Sequence, residues 1–261
     1  MKRTKISLDL QAFPLEIASF LIGADIYDSS CSNLSKVYYI DKEQGYFLKV
    51  AAAGFLKSEN LMHRYFHSLS LTTAVIFYET IDNKDCLITE CVPGEDCTHY
   101  FAEPEHLCDT IAMNLRMLHN QPFADCPIQN RITDYVSSVF DGHAKGKYEH
   151  ELFEGLWEFS SVQSAWEAAK EGIKNLESNV LMHGDYCLPN IILNNWKLSG
   201  FIDLIKAGVG DRHIDVLWGI WTLKYNLGTA KYTDRFIDAY GRDMIDKEKL
   251  RCIAAMEMFG E

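Results

Sequence analysis

The sequence predicts an α+β chain in two lobes: a small antiparallel β-sheet N-lobe with one helix over residues 1–91, and a larger, mainly helical C-lobe over residues 92–261. Three observations predict it. β-rich runs separated by short polar turns fill the first third of the chain. Val92-Pro93-Gly94-Glu95 then breaks the pattern. Beyond it, apolar residues recur at helical spacing. At 261 residues and 48% hydrophobic, the chain can bury a full core in one large or two modest domains.

Lys5 to Leu21 mixes apolar and charged residues around Pro14, which predicts a short capped helix. The polar loop Asp28 to Ser35 leads into strands at Lys36 to Ile40 and Gly45 to Val50, joined by the turn Asp41 to Gln44. A loop with Gly54 turns the chain into a helix over Leu56 to Leu69. Strands at Ala74 to Tyr78 and Cys86 to Glu90, around a turn at Asp82 to Asp85, complete a sheet of four or five strands. In the second lobe Leu107, Ile111, Leu115 and Leu118 set a central helix over Glu105 to His119. The acidic stretch from Arg131 to Leu176 predicts helices inserted over about 131–178. Helices over Asp215 to Leu227, Tyr232 to Tyr240 and Lys247 to Phe259 follow. Trp218, Trp221 and Tyr225 share one face of the first of these, a stripe that reads as core before it reads as a ligand box.

Composition excludes several classes. A net charge of −12 argues against nucleic acid as a ligand, since phosphate backbones need a concentrated basic surface. No run approaches the ~18 apolar residues of a membrane span, and MKRTKISLDLQAFP lacks the apolar core and cleavage site of a signal peptide, so a cytoplasmic protein with no membrane partner is expected. The eight cysteines lack CxxC spacing and several lie in apolar runs, which fits free thiols in a reducing compartment. No HExxH occurs.

The chemistry-bearing stretch is Leu181 to Asp215. Short apolar runs at Val180 to Met182, Ile191 to Leu193 and Gly200 to Ile202 bracket loops that carry Asp185, Asn190 and Asp203, with Asn194-Asn195 as a hairpin turn. Phosphoryl transfer needs this set. One carboxylate accepts the hydroxyl proton, while an amide and a second carboxylate hold the Mg2+ that neutralises the phosphates. Asp185 and Asn190 have the Asp, four residues, Asn spacing of a kinase catalytic loop, and Asp203 follows a hairpin, where the metal aspartate belongs. Lys49 at the end of a strand and Glu59 on the next helix have the arrangement of a phosphate-orienting ion pair. The alternative for that pair is an ordinary surface contact worth ~0–1 kcal/mol. The backbone of Thr89 to Cys91, at the lobe boundary, is expected to be open to an adenine edge.

These residues carry a resemblance to the aminoglycoside 3′-phosphotransferase family, which has a bilobal protein-kinase-like fold. His183-Gly184-Asp185-Tyr186-Cys187-Leu188-Pro189-Asn190 resembles the family's catalytic loop, Ser199-Gly200-Phe201-Ile202-Asp203 its metal motif, and Gly208 to Asp215 the segment after it; Asp125-Cys126-Pro127 and Met256 to Phe259 also match. The resemblance implies Asp185 as catalytic base, Asn190 and Asp203 as Mg2+ ligands, and Lys49 on the ATP phosphates with Glu59 as its partner. It implies Phe47 against adenine, Ser32 in the nucleotide loop, and Thr89 and Cys91 at the hinge backbone. It also implies Glu151, Glu154, Lys206 and Glu257 on the side of a polycationic aminoglycoside, in a monomer or weak homodimer.

Ile205-Lys206 stands where the family commonly has Gly-Arg, Trp221 and Tyr225 where it has polar residues, and Gly260-Glu261 extends past the usual terminal phenylalanine. The implied activity is transfer of the ATP γ-phosphoryl group to an aminoglycoside hydroxyl, with resistance as its outcome. Two rivals are a kinase for choline or another amino alcohol, for which the aromatic stripe would supply cation–π contacts, and a catalytically silent nucleotide-binding module. An acidic lining of Glu151, Glu154, Glu158 and Glu257 would concentrate a polycation.

Overall fold

The computed structural model describes residues 4–260, which divide into two units: the chain up to Gly94 together with Ser199–Ile205, and Glu95–Leu198 together with Lys206 onward. A single cut at 91/92 does not produce this division, because the seven-residue piece carrying Asp203 groups with the N-terminal strands.

In the first unit the described strands are β1 (Thr4–Ile6), β2 (Asp25–Asp28), β3 (Ser35–Asp41), β4 (Tyr46–Ala52), β5 (Val75–Ile81) and β6 (Lys84–Glu90). They form one sheet in the order β1-β2-β3-β4-β6-β5, antiparallel throughout. Six strands exceed the four or five expected; β1 and β2 were not foreseen, being short and rich in charge. Alternation sorts the faces. Ile40, Leu48 and Ile88 pack with Ile17 and Leu21 of α1 (Leu15–Leu21), whose N-cap is Pro14. On the opposite face Ala51 and Leu87 pack with Leu56 at the start of α2 (Lys57–Ser68). Lys49 alternates onto that second face and is paired in register with Leu87.

The turn expected at Asp82 to Asp85 is tighter: only Asp82 and Asn83 lie outside the strands, both at positive φ, as a two-residue hairpin requires. Asp85 is instead fully buried. It accepts the Leu56 N–H at 2.9 Å and the Thr80 hydroxyl at 2.7 Å, and so fixes where α2 begins.

In the second unit the central helix α3 (Pro104–His119) buries Leu107, Ile111, Leu115 and Leu118 completely. The inserted region is α4 (Ile132–Ala144), an irregular loop, and α5 (Val162–Lys174), which opens with a Ser161–Ser164 capping box. After the short strand β7 (Glu95–Asp96) come β8 (Val180–Met182), β9 (Ile191–Asn194), β10 (Lys197–Phe201) and β11 (Gly208–Gly210). The strand β8 pairs with β11, and β10, β9 and β7 make a small sheet in that order. The hairpin turn falls one residue later than expected, on Asn195 and Trp196, both at positive φ. Trp196 holds that strained position by stacking on His106 at 3.9 Å, with Tyr100 edge-on at 4.6 Å. The chain ends with α6 (Arg212–Leu227), α7 (Thr233–Tyr240) and α8 (Lys247–Glu257). Gly260 is anchored through its carbonyl by the Lys147 ammonium, and Glu261 lies outside the described residues. Among the described residues no helix is long and apolar enough to cross a membrane.

Candidate active site

The first unit assembles three of the expected residues. The Lys49 ammonium donates to Glu59 Oε1 and, at 3.1 Å, to Asp203 Oδ1. Glu59 is buried because it sits in the first turn of α2, on the face turned to the sheet. Burial alone lowers the Lys49 pKa, but the two carboxylates outweigh it and hold the ammonium charged. The surface-pair alternative therefore does not apply: the Glu59 carboxylate is only 3% exposed. Asp203 has φ of +60°, a left-handed conformation that aspartate tolerates better than most residues. Its segment is fixed from both ends, with Phe201 exchanging backbone and side-chain hydrogen bonds with Leu71 and Thr72, and the Ile205 carbonyl accepting from Ser58.

The second unit brings Asp185 and Asn190 together. The Asn190 Nδ2 amine donates to the Asp185 carbonyl at 3.0 Å and to its carboxylate Oδ2 at 2.9 Å. The amine is thereby spent on the loop, and the amide oxygen Oδ1 is the end suited to a hard cation such as Mg2+. Asp203, a carboxylate, belongs to the same donor class. The donor chemistry fits the expected metal.

The loop itself is held by a residue not foreseen. Asp215, buried in the first turn of α6, accepts the backbone N–H groups of His183 at 2.7 Å and Gly184 at 2.8 Å. His119, the last residue of α3, lies 3.1 Å from the same carboxylate through Nε2 and 2.8 Å from the Tyr240 hydroxyl through Nδ1. Burial lowers the His119 pKa, so a neutral ring gives its Nε2 proton to Asp215 and accepts the Tyr240 proton. Gly184 has φ of +81°, and a Cβ there would fall 2.3 Å from the Lys206 carbonyl, so only glycine fits. A sequence signal did exist: His119 and Asp215 are polar residues set on otherwise apolar helix faces.

The remaining expected residues are placed as follows. Phe47 is half-buried on β4 against Tyr39 at 5.3 Å and stands opposite Thr89 in the β4–β6 register. The expectation that the backbone from Thr89 to Cys91 is open needs correction. The Glu90 N–H is donated to Ala74, the Cys91 N–H to Gly45 at 2.9 Å, and the Glu90 carbonyl accepts from Thr73. Ser32 is exposed in its loop, its hydroxyl accepting from Leu34 N–H at 3.3 Å.

Glu257 accepts from Trp218 Nε1 at 3.2 Å. Burial pushes its pKa up, Asp185 adds to that, and Lys206 pulls it down, so these three charges share one electrostatic neighbourhood. Glu151 and Glu154 are exposed on the loop between α4 and α5, with local partners: Glu151 meets His150 at 3.5 Å, and the Glu154 N–H is donated to the Glu151 carbonyl.

A strand lysine paired with a helix glutamate, a carboxylate clamped by an asparagine, and a small sheet followed by a helical unit are together what a phosphotransferase calls for. Residues 28–253 match the model of the phosphotransferase enzyme family, and the chain belongs to that family. It is 42% identical over 258 residues to a probable aminoglycoside 3′-phosphotransferase of Lactococcus lactis, covering 98% of each chain. An aminoglycoside 3′-phosphotransferase of Niallia circulans is 26% identical over 238 residues, 85% of this chain and 87% of that one. The fold matches an aminoglycoside phosphotransferase from Streptomyces rimosus, solved with ADP and streptomycin, at a TM-score of 0.75 and 19% identity, over 97% of this chain and 99% of that one.

Proposed function

We propose that this protein transfers the γ-phosphoryl group of ATP to the 3′-hydroxyl of an aminoglycoside and so confers resistance, acting in the cytoplasm as a monomer or weak homodimer. The observation that carries the reading is the clamp of Asn190 on the Asp185 carboxylate, which orients one oxygen and leaves the other to meet a hydroxyl proton.

In the proposed mechanism Lys49, kept charged by Glu59 and Asp203, holds the α- and β-phosphates. Asn190 and Asp203 would be the residues to hold Mg2+, which would supply positive charge against the phosphates. As the acceptor oxygen bonds to the γ-phosphorus and the bond to ADP breaks, the hydroxyl proton passes to Asp185. The product gains a phosphate dianion and keeps its ammonium groups, which spoils its fit to an anionic target. Glu257, with Lys206 beside it, is the acidic group best placed in its unit to meet an acceptor ammonium; Glu151 and Glu154 add attraction from the loop.

The test is a coupled ADP-release assay with kanamycin, neomycin, amikacin, gentamicin, tobramycin and choline. Turnover of the 3′-hydroxylated compounds, little or none with the 3′-deoxy compound tobramycin, and none after Asp185→Ala is the expected result. Turnover of choline alone would replace the acceptor class, and undiminished activity in Asp185→Ala would remove the catalytic assignment.

A further inference from the structure

The aromatic stripe of α6 is not buried as core. Trp218 reaches Glu257 through its N–H, Trp221 lies edge-on to Trp218 at 5.1 Å, and Tyr225 stacks on Trp221 at 4.8 Å with the rings 18° from parallel. The track thus runs without a break from the Glu257 carboxylate outward to Tyr225, which is 69% exposed. Trp221 is pinned by donating its N–H to the Leu152 carbonyl at 2.7 Å. Its ring is therefore fixed before any ligand arrives. Together with Glu149, Glu151 and Leu152 the outer pair borders an open depression of about 430 Å³.

We infer that Trp221 and Tyr225 form a stacking platform for an outer aminosugar ring of the acceptor and select for acceptors that carry such a ring. The inference rests on the acceptor class proposed above and deepens it. A sugar ring offers a flat face of C–H groups that lies well on an aromatic plane, and an ammonium on its edge is attracted both by the ring faces and by carboxylates. Glu151, 80% exposed, supplies the carboxylate at the rim. Lys224 also borders the depression, so the attraction is confined to the Glu149–Glu151 side. Glu149 is paired with the Lys147 ammonium at 3.0 Å, whereas Glu151 has only the looser 3.5 Å contact with the His150 imidazole, so Glu151 is the carboxylate more open to the ligand cation. The platform is joined to the Asp185 neighbourhood through Trp218 and Glu257, so a multi-ring acceptor engaging Glu257 would bring an outer ring onto it.

The experiment uses the full chain, titrated calorimetrically with kanamycin, which has three rings, and with its two-ring fragment that retains the phosphorylated ring. Turnover of each is measured alongside. Tyr225→Ala, an exposed change that leaves the core untouched, is expected to raise the Kd and KM of the three-ring compound about 3–10-fold, while the fragment and ATP change less than twofold. Tyr225→Phe is expected to restore wild-type affinity. Equal weakening of both ligands, or no change for kanamycin, overturns the platform while leaving the proposed reaction intact. Wild-type protein that neither binds nor phosphorylates either compound overturns both.

Discussion

The imidazole of His119 and the carboxylate of Asp215 meet at 3.1 Å, and that carboxylate is the acceptor for two consecutive backbone N–H groups of the loop that carries Asp185. The loop is thus held by its main chain from α6, which also accepts the Leu188 N–H further along through the Thr222 hydroxyl at 3.1 Å. Replacing Asp215 by Asn leaves one acceptor where there were two and sets an amide N–H against a buried donor. Asp215→Asn is expected to cost about 1–3 kcal/mol of stability and to lower kcat more than tenfold while the KM for ATP stays within a factor of about two. Urea unfolding and steady-state kinetics read the two effects; a loss of stability with kcat unchanged would make Asp215 structural alone.

The Glu59 carboxylate keeps a charge beside Lys49 in a site where neither is well hydrated. Glu59→Gln retains the shape and removes the charge, so Lys49 is left to Asp203 alone. The KM for ATP is expected to rise about tenfold, with the acceptor KM little changed, and stability to fall by ~1–3 kcal/mol. Equal changes in both KM values would indicate a general distortion instead.

Stability should depend on pH in two separate windows. His63 on α2 is pushed down to about 4 from 6.5 by burial and by the Lys49 charge. Above pH 6.5 both folded and unfolded chains hold it neutral; as pH falls toward 4 the unfolded chain takes a proton that the folded one refuses, and stability is lost, by roughly 3 kcal/mol at most. For Asp211, burial alone would raise the pKa, but His213 and Lys249 bring it down to about 2. Its contribution is complete above 3.8 and disappears only as pH falls on through 2. Urea midpoints from pH 7 to pH 4 should therefore drop in the wild type and flatten in His63→Gln; an unchanged slope would assign the loss to another group, such as His119.

Gly184→Ala places a methyl group 2.3 Å from the Lys206 carbonyl at a φ of +81°. The backbone must shift by a large fraction of an ångström exactly where Asp185 follows. Activity is expected to fall at least a hundredfold with about 1–3 kcal/mol lost in stability, and thermal melts beside kcat measurements separate the two.

The helices of the second unit were legible because their apolar spacing is their reason for existing: Leu107, Ile111, Leu115 and Leu118 had no other place to go. The pairings of Lys49 with Glu59 and of Asp185 with Asn190 were legible because the phosphoryl-transfer chemistry expected of them would impose these residue types at fixed separations. What escaped was long-range pairing. The strands β1 and β2 are short and polar; β2 is a strand only because β3 offers an edge, and β1 only because β2 then does. Asp85 resembled a turn residue until α2 supplied the N–H it accepts. The Cys91 donor looked available because nothing local shows that Gly45, 46 positions earlier, takes it. His119 and Asp215 are 96 residues apart. No window of sequence holds both ends of such a bond.

Because Ser199–Ile205 belongs with the N-terminal strands although it lies deep in the second half of the gene, the two units are not modules in the genetic sense. A fragment stopped at Gly94 would keep Lys49 and Glu59 and lose the aspartate that shares the lysine's charge. Any shuffling of halves among relatives has to carry both stretches across together, and a crossover that swaps only the first would pair one parent's lysine with the other's carboxylate.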